Sequence, residues 1–98
     1  MSTQDRIDIQ FVATAFGRVL RKARRSRKCS QGMLANRAGI DPTYPSLLER
    51  GLRTPSLPIV IAIGEGLSIE AEILVARTVE ILRADGALPL RPVPEDAK

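Results

Sequence analysis

The stretch SQGMLANRAGIDPTYPSLLER, Ser30–Arg50, decides the reading of this chain. Ser30 offers a hydroxyl N-cap to a short helix over Gln31–Arg37, with Met33, Leu34 and Ala35 as its apolar content. Gly39 suits the left-handed position that closes such a helix. Asp41 then caps a second helix, and Pro42 stands at the first helical position, where proline is favoured. This helix is expected to run to about Arg50 and to end at Gly51. Thr43, Ser46, Leu47 and Arg50 recur at helical spacing and share one face, while Pro45 and Leu48 point the other way, into a core. Pro45 lacks the N–H that would bond back to the capping residue, so the helix is expected to start late or to bend.

Two short helices joined by a tight turn with a central glycine form a helix-turn-helix, whose second helix enters the major groove of DNA. A capped start at Ser30 leaves backbone N–H groups pointing outward, which suits a phosphate, and the Gln31 side chain can donate to the same group.

Working outward, Val12, Phe16, Val19, Leu20 and Ala23 line one face of a helix from about Asp8 to Arg27, with Asp8 as its cap. Arg18, Arg21, Lys22, Arg25 and Lys28 project from the other side, and Gly17 sits inside the helix at some cost in propensity. Ser56 caps a fourth helix, Leu57–Gly66, with Leu57, Val60, Ile61, Ile63 and Leu67 as core candidates. Gly64 and Gly66 there are compatible with either a loose helix or a closely packed one. A fifth helix over about Glu70–Ala84 carries an apolar arc wider than packing on one core requires. Either one deep core within the chain or a second contact surface explains that surplus. On the second reading Leu74, Val75, Thr78, Ile81 and Leu82 form a homodimer interface. Residues 1–85 are thus expected to form one domain, with residues 86–98, rich in proline, as a flexible tail.

Composition narrows the function. Residues 1–53 hold eleven Lys and Arg against four Asp and Glu, and no acid lies between Asp8 and Asp41. One-sided positive charge suits a polyanion, whether DNA, RNA or an anionic membrane, although a basic helix face can also be merely solvated. Phe11, Phe16 and Tyr44 are the only aromatic residues, which argues against a single-strand binder that stacks bases. With one cysteine, Cys29, and no histidine, an internal disulfide, a Cys/His metal site and triad catalysis lack their residues. Cys29 reads as a small buried hydrophobe or, beside so many cations, as a thiol of lowered pKa. No apolar run reaches membrane-spanning length and the N-terminus has no signal-peptide core, so a cytoplasmic protein without cofactor, metal or small-molecule ligand is expected.

From Phe16 to Ile69 the chain resembles the Cro/repressor-like (XRE-type) helix-turn-helix family. The resemblance is carried by S-Q-x-x-L-A-x-x-A-G-I from Ser30 and by Y-x-S-L-L-E-R-G-x-R-x-P-S-L from Tyr44. It implies an all-α, five-helix lambda-repressor-like domain that binds palindromic double-stranded DNA as a dimer. It further implies that Gln31 contacts a phosphate, that Pro42, Thr43 and Leu47 face base edges, and that Arg53 meets the DNA backbone. Arg24 is implied to pair with Glu49.

The base-facing positions depart from the polar residues usual there, and Pro42 and Leu47 cannot hydrogen-bond to a base. Direct reading is therefore expected to be thin and weighted towards thymine methyls, with Ser46, Arg50 and the Tyr44 hydroxyl as supplements. Leu47 can instead turn into the core if Pro45 rotates the helix, and Tyr44 can pack beside the turn. Two functions remain open from the sequence. One is a dimeric transcriptional regulator acting by operator occupancy. The other is a helix-turn-helix scaffold serving as a protein-interaction or antitoxin-like module. An enzyme has no supporting constellation.

Overall fold

The computed structural model describes residues 7–88 and is all-α over that span. Five helices follow one another: α1 Ile9–Ser26, α2 Gln31–Ala38, α3 Tyr44–Glu49, α4 Leu57–Leu67 and α5 Ala71–Ala84. This is the five-helix lambda-repressor-like arrangement expected from the sequence. α1 packs on both α3 and α5, α2 on α3 and α4, and α4 on α5. Residues 1–6, and residues 89–98 of the expected tail, lie outside the described span.

Three helices, α1, α2 and α4, start where short polar side chains satisfy free N–H groups. Asp8 accepts from the N–H groups of Gln10 and Phe11, Ser30 from Met33 and Ser56 from Ile59. The start of α3 differs from the expected Asp41 cap. The Asp41 carboxylate accepts the Thr43 N–H at 2.8 Å and the Thr43 hydroxyl at 2.6 Å, and Thr43 itself holds the N-cap position. The late start has a physical reason. With Tyr44 as first residue, Pro45 falls in the opening turn, where a missing N–H breaks no helical bond.

All five helices end alike. Lys28, Gly39, Gly51, Ser68 and Gly86 each take a left-handed φ between 53° and 71°. The next residue then donates its N–H back five positions: Cys29 to Arg24, Ile40 to Ala35, Leu52 to Leu47, Ile69 to Gly64 and Ala87 to Leu82. Each bond satisfies a carbonyl that the helix would otherwise leave open. Residues 86–88, placed in the tail by the sequence, thus close α5, and Ala87 and Leu88 are half-buried.

The core is aliphatic, with Leu20, Leu34, Leu48, Ile63, Leu67 and Leu74 fully enclosed and Phe16, Val60 and Cys29 around them. Cys29 is a buried hydrophobe. Two expected core residues of α4 are instead exposed, Leu57 by 68% and Ile61 by 49%. Leu57 opens the helix, and Ile61 lies about 100° round from the buried Val60, beyond the strip that α2 and α5 cover. Leu74, Thr78 and Leu82 are buried within the chain itself, and the Thr78 hydroxyl donates to the Leu74 carbonyl at 2.8 Å.

Glycine permits the closest contacts. A Cβ on Gly17 would stand 2.5 Å from the Leu48 carbonyl oxygen and 2.7 Å from that of Glu49, so α1 and α3 touch backbone to backbone. A Cβ on Gly64 would lie 2.7 Å from the Ile69 carbonyl oxygen, which makes α4 a closely packed helix and not a loose one.

Beside the Gly17 contact, Arg24 of α1 reaches Glu49, the last residue of α3. Its Nε donates to Oε2 at 2.6 Å and its Nη2 to Oε1 at 3.0 Å, while Nη1 donates to the Cys29 carbonyl at 2.8 Å. The two side chains are only 12% and 5% exposed. The hydrogen bonds to Glu49 hold the Arg24 pKa above its already high ordinary value, against the opposing pull of burial. A bidentate pair with little water around it is strong when complete and costly when halved.

Two stability outcomes follow, each read by urea denaturation. Gly17→Ala should cost about 1–3 kcal/mol, because the obstructing atoms are backbone. The control Gly32→Ala, where a Cβ would meet only the Ser30 hydroxyl at 4.0 Å, should be neutral or stabilise by up to ~1 kcal/mol. Arg24→Ala should cost about 3–5 kcal/mol by leaving a buried carboxylate alone, and the double replacement Arg24→Met, Glu49→Leu should cost clearly less. Equal losses for single and double variants would show that the pair's charge balance is irrelevant.

Candidate nucleic-acid interface

The residues singled out for DNA gather on the α2 N-terminus, the outer side of α3 and the loop that follows it. Gln31 is the first residue of α2, and the Ser30 hydroxyl takes the Met33 N–H, leaving the remaining early N–H groups of α2 directed out of the helix end. The Gln31 side chain is half-buried and donates through Nε2 to Glu49 Oε1 at 3.2 Å. Glu49 thus receives Arg24 and Gln31 on one carboxylate, tying α1, α2 and α3 together at this edge. Nothing in the local sequence signals the Gln31–Glu49 bond, which joins residues 18 positions apart.

On the α3 side, Pro42 and Thr43 are exposed within the turn before the helix, and Ser46 and Leu47 are half-buried on it. The Thr43 hydroxyl hydrogen is committed to Asp41. That bond, followed by the Thr43 N–H, holds the Asp41 carboxyl below the ordinary carboxylate range. The ionised form therefore favours this turn, an effect present above the usual range and lost as pH falls through the lowered value. Tyr44 is half-buried and its body packs against the core. Pro45 is enclosed and Leu48 fully buried, so the division of α3 into two faces is as the spacing predicts.

Arg50 and Arg53 are both exposed. Arg50 donates from Nε to the Ser46 carbonyl at 3.3 Å, which lays its stem along α3 and leaves its terminal nitrogens outward. Arg53 donates from Nη1 to the Leu52 carbonyl. The loop carrying it is anchored by Gln10 of α1, whose Nε2 donates to the Gly51 carbonyl at 3.0 Å. Sequence reasoning missed Gln10, since nothing local signals a partner 41 residues away.

Of the five residues expected between protomers, Val75 is 44% exposed and Ile81 is half-buried, whereas Leu74, Thr78 and Leu82 are covered by the chain's own core. Among the described residues no cluster of potential metal ligands occurs, and no helix is long and apolar enough to cross a membrane.

Comparison with known proteins bears on this geometry. A helix-turn-helix domain model matches residues 15–88. An uncharacterised HTH-type transcriptional regulator of Mycobacterium tuberculosis, present in two strains, is 38% identical over 61 residues, or 62% of this chain. This chain spans only 44% of the length of those relatives. Among solved structures, the restriction-modification controller protein C.AhdI from Aeromonas hydrophila is 35% identical with a TM-score of 0.62, covering 63% of this chain and 94% of that one. The clp gene regulator ClgR from Corynebacterium glutamicum shares the fold at a TM-score of 0.71 and 22% identity, over 78% of this chain and 81% of that one. With its capped α2, its glycine turn and the buried pair behind α3, the chain belongs to the helix-turn-helix domain family, among the Cro/repressor-like (XRE-type) DNA-binding proteins.

Proposed function

We infer that this protein is a dimeric transcriptional regulator that occupies an operator in double-stranded DNA in the cytoplasm. The observation that carries the reading is the Arg24–Glu49–Gln31 cluster. It holds the α2 N-terminus and α3 in one fixed relation, as groove entry beside a phosphate contact requires. In this reading Gln31 and Arg53 meet phosphates, and α3 lies in the major groove with Pro42, Thr43 and Leu47 towards the bases. The similarity to mycobacterial proteins classed as HTH-type transcriptional regulators supports the same class.

The hydrogen bonds already made at this surface bear on which side chains would read bases. Pro42 has no donor, Leu47 offers methyls, and Thr43 has given its hydroxyl hydrogen to Asp41 and keeps lone pairs and a methyl. Arg50 retains free guanidinium nitrogens and becomes the principal hydrogen-bond donor, suited to a guanine edge. This scarcity of donors also favours a second reading, a scaffold that binds protein partners with little base selectivity.

The dimer surface follows from what the core leaves over. An apolar groove of about 240 Å³ runs between α1 and α5, with Ile7, Val12, Val75, Val79 and Leu88 along it. A second copy of the chain is its proposed occupant, with Val75 central and the buried Leu74, Thr78 and Leu82 supporting it from beneath.

Selection from random duplex DNA at physiological salt should enrich an inverted repeat, and Arg50→Ala should relax one position per half-site by about 1–3 kcal/mol. Gln31→Ala should weaken all sites about equally. Absence of any enriched sequence, with a protein partner captured instead, would favour the second reading. Val75→Glu should give a folded monomer in sedimentation, whereas Leu74→Glu should unfold the domain. A Val75→Glu protein that remains dimeric would remove this surface from consideration.

A further inference from the structure

The outer face of α1 is a surface that the helix-turn-helix reading leaves unused. Arg18, Arg21, Lys22 and Arg25 line a shallow groove of about 310 Å³ between them, and all four are exposed. They stand at mutual spacings of three and four residues, where like charges on a helix repel and destabilise it. Among the described residues, the only carboxylate in ion-pair range of any of them is Asp85, 3.9 Å from Arg18, with both side chains nearly two-thirds exposed. The fold therefore gains little from this concentration of charge. Arg24, the cation on α1 that the fold does use, points elsewhere and is buried.

The position of the face is fixed by the α1–α3 seam. Taking Gly17 as the line of contact with α3, Arg21, Arg25, Arg18 and Lys22 lie about 40°, 80°, 100° and 140° round the helix, all on the same side. The strip thus begins beside α3 and turns towards α5. From Arg18 to Arg25 it is about 10 Å long, an axial length over which one DNA strand carries about three phosphates.

We propose that this face of α1 binds the sugar–phosphate backbone of the same duplex, beyond the bases that α3 meets. The proposal rests on the DNA-binding reading above and adds a contact to flanking DNA that carries affinity without base selectivity. No acid occurs in sequence from Ile9 to Ile40, and the Glu49 carboxylate beside the α2 N-terminus is only 5% exposed and already engaged by Arg24 and Gln31.

The test uses the full chain and two duplexes bearing the selected site. One ends at the site, and the other extends it by about one helical turn (~10 base pairs) on each side. The variant replaces Arg18, Arg21, Lys22 and Arg25 with Gln, a good helix former, and should be at least as heat-stable as the parent because the repulsion is gone. The parent should prefer the longer duplex. The variant should lose that preference, bind the longer duplex about tenfold more weakly, and show a log K against log[salt] slope shallower by about 3. Its selected sequence should be unchanged.

If the parent binds and the variant matches it on both duplexes in affinity and slope, this inference falls while the helix-turn-helix reading stands. If the parent binds no duplex, both fall. Retention of poly-glutamate by the parent but not by the variant, with equal duplex binding, would assign the face to an acidic polypeptide and overturn the proposal.

Discussion

The Glu49 carboxylate is the point on which the architecture turns. It is the last residue of α3, it is almost wholly removed from water, and three donors converge on its two oxygens: two from Arg24 and one from Gln31. Burying an ion pair is expensive, and a well-packed apolar pair can match it in stability. What an apolar pair cannot do is demand a geometry. Two parallel N–H···O bonds accept little rotation. Because both come from Arg24, that intolerance fixes α1 against the end of α3, and the single Gln31 bond ties the start of α2 to the same carboxylate.

Backbone contact at Gly17 complements this constraint. A salt bridge holds direction, whereas the missing side chain at Gly17 sets distance, letting α1 touch the α3 carbonyls. Gly64 performs the same service where α4 turns into α5. In a chain with three aromatic residues such approaches matter, since aliphatic side chains alone leave gaps that large rings would otherwise fill. The propensity lost by placing glycine in helices is offset by packing that alanine would obstruct.

Much of this was legible in the sequence, and the rest was hidden for identifiable reasons. The caps at Asp8, Ser30 and Ser56 and the turns at Gly39 and Gly51 are local, and their residue types announce them. Lys28 and Ser68 make the same left-handed turn without the glycine that would have signalled it, because the surrounding packing imposes the conformation. Periodicity marked the apolar faces of α4 and α5 but not what covers them. Leu57 and Ile61 therefore proved exposed, and Leu74, Thr78 and Leu82 proved internal. The candidate site could be drawn from the sequence as a set of positions. Its internal hydrogen bonds, Gln31 to Glu49 and Thr43 to Asp41, could not, because they depend on rotamers that spacing does not encode.

Those two bonds change how a DNA complex would form. A free Gln31 would lose side-chain entropy on meeting a phosphate; one already held by Glu49 has lost much of it on folding. The Thr43–Asp41 bond works in the other direction, ordering the turn while spending a donor that a base could have used. The surface is thus prepared for the backbone more fully than for the bases. On the proposed reading, a protein built this way would gain affinity from phosphates, read few base edges, and draw the remainder of its selectivity from how readily a sequence bends or narrows to fit α3 and its flanks. In such a system, half-site spacing and the central, untouched base pairs should matter as much as the contacted ones. In the proposed dimer a contact through the exposed Val75 would be a determinant of specificity, because it would set the spacing against which DNA shape is measured.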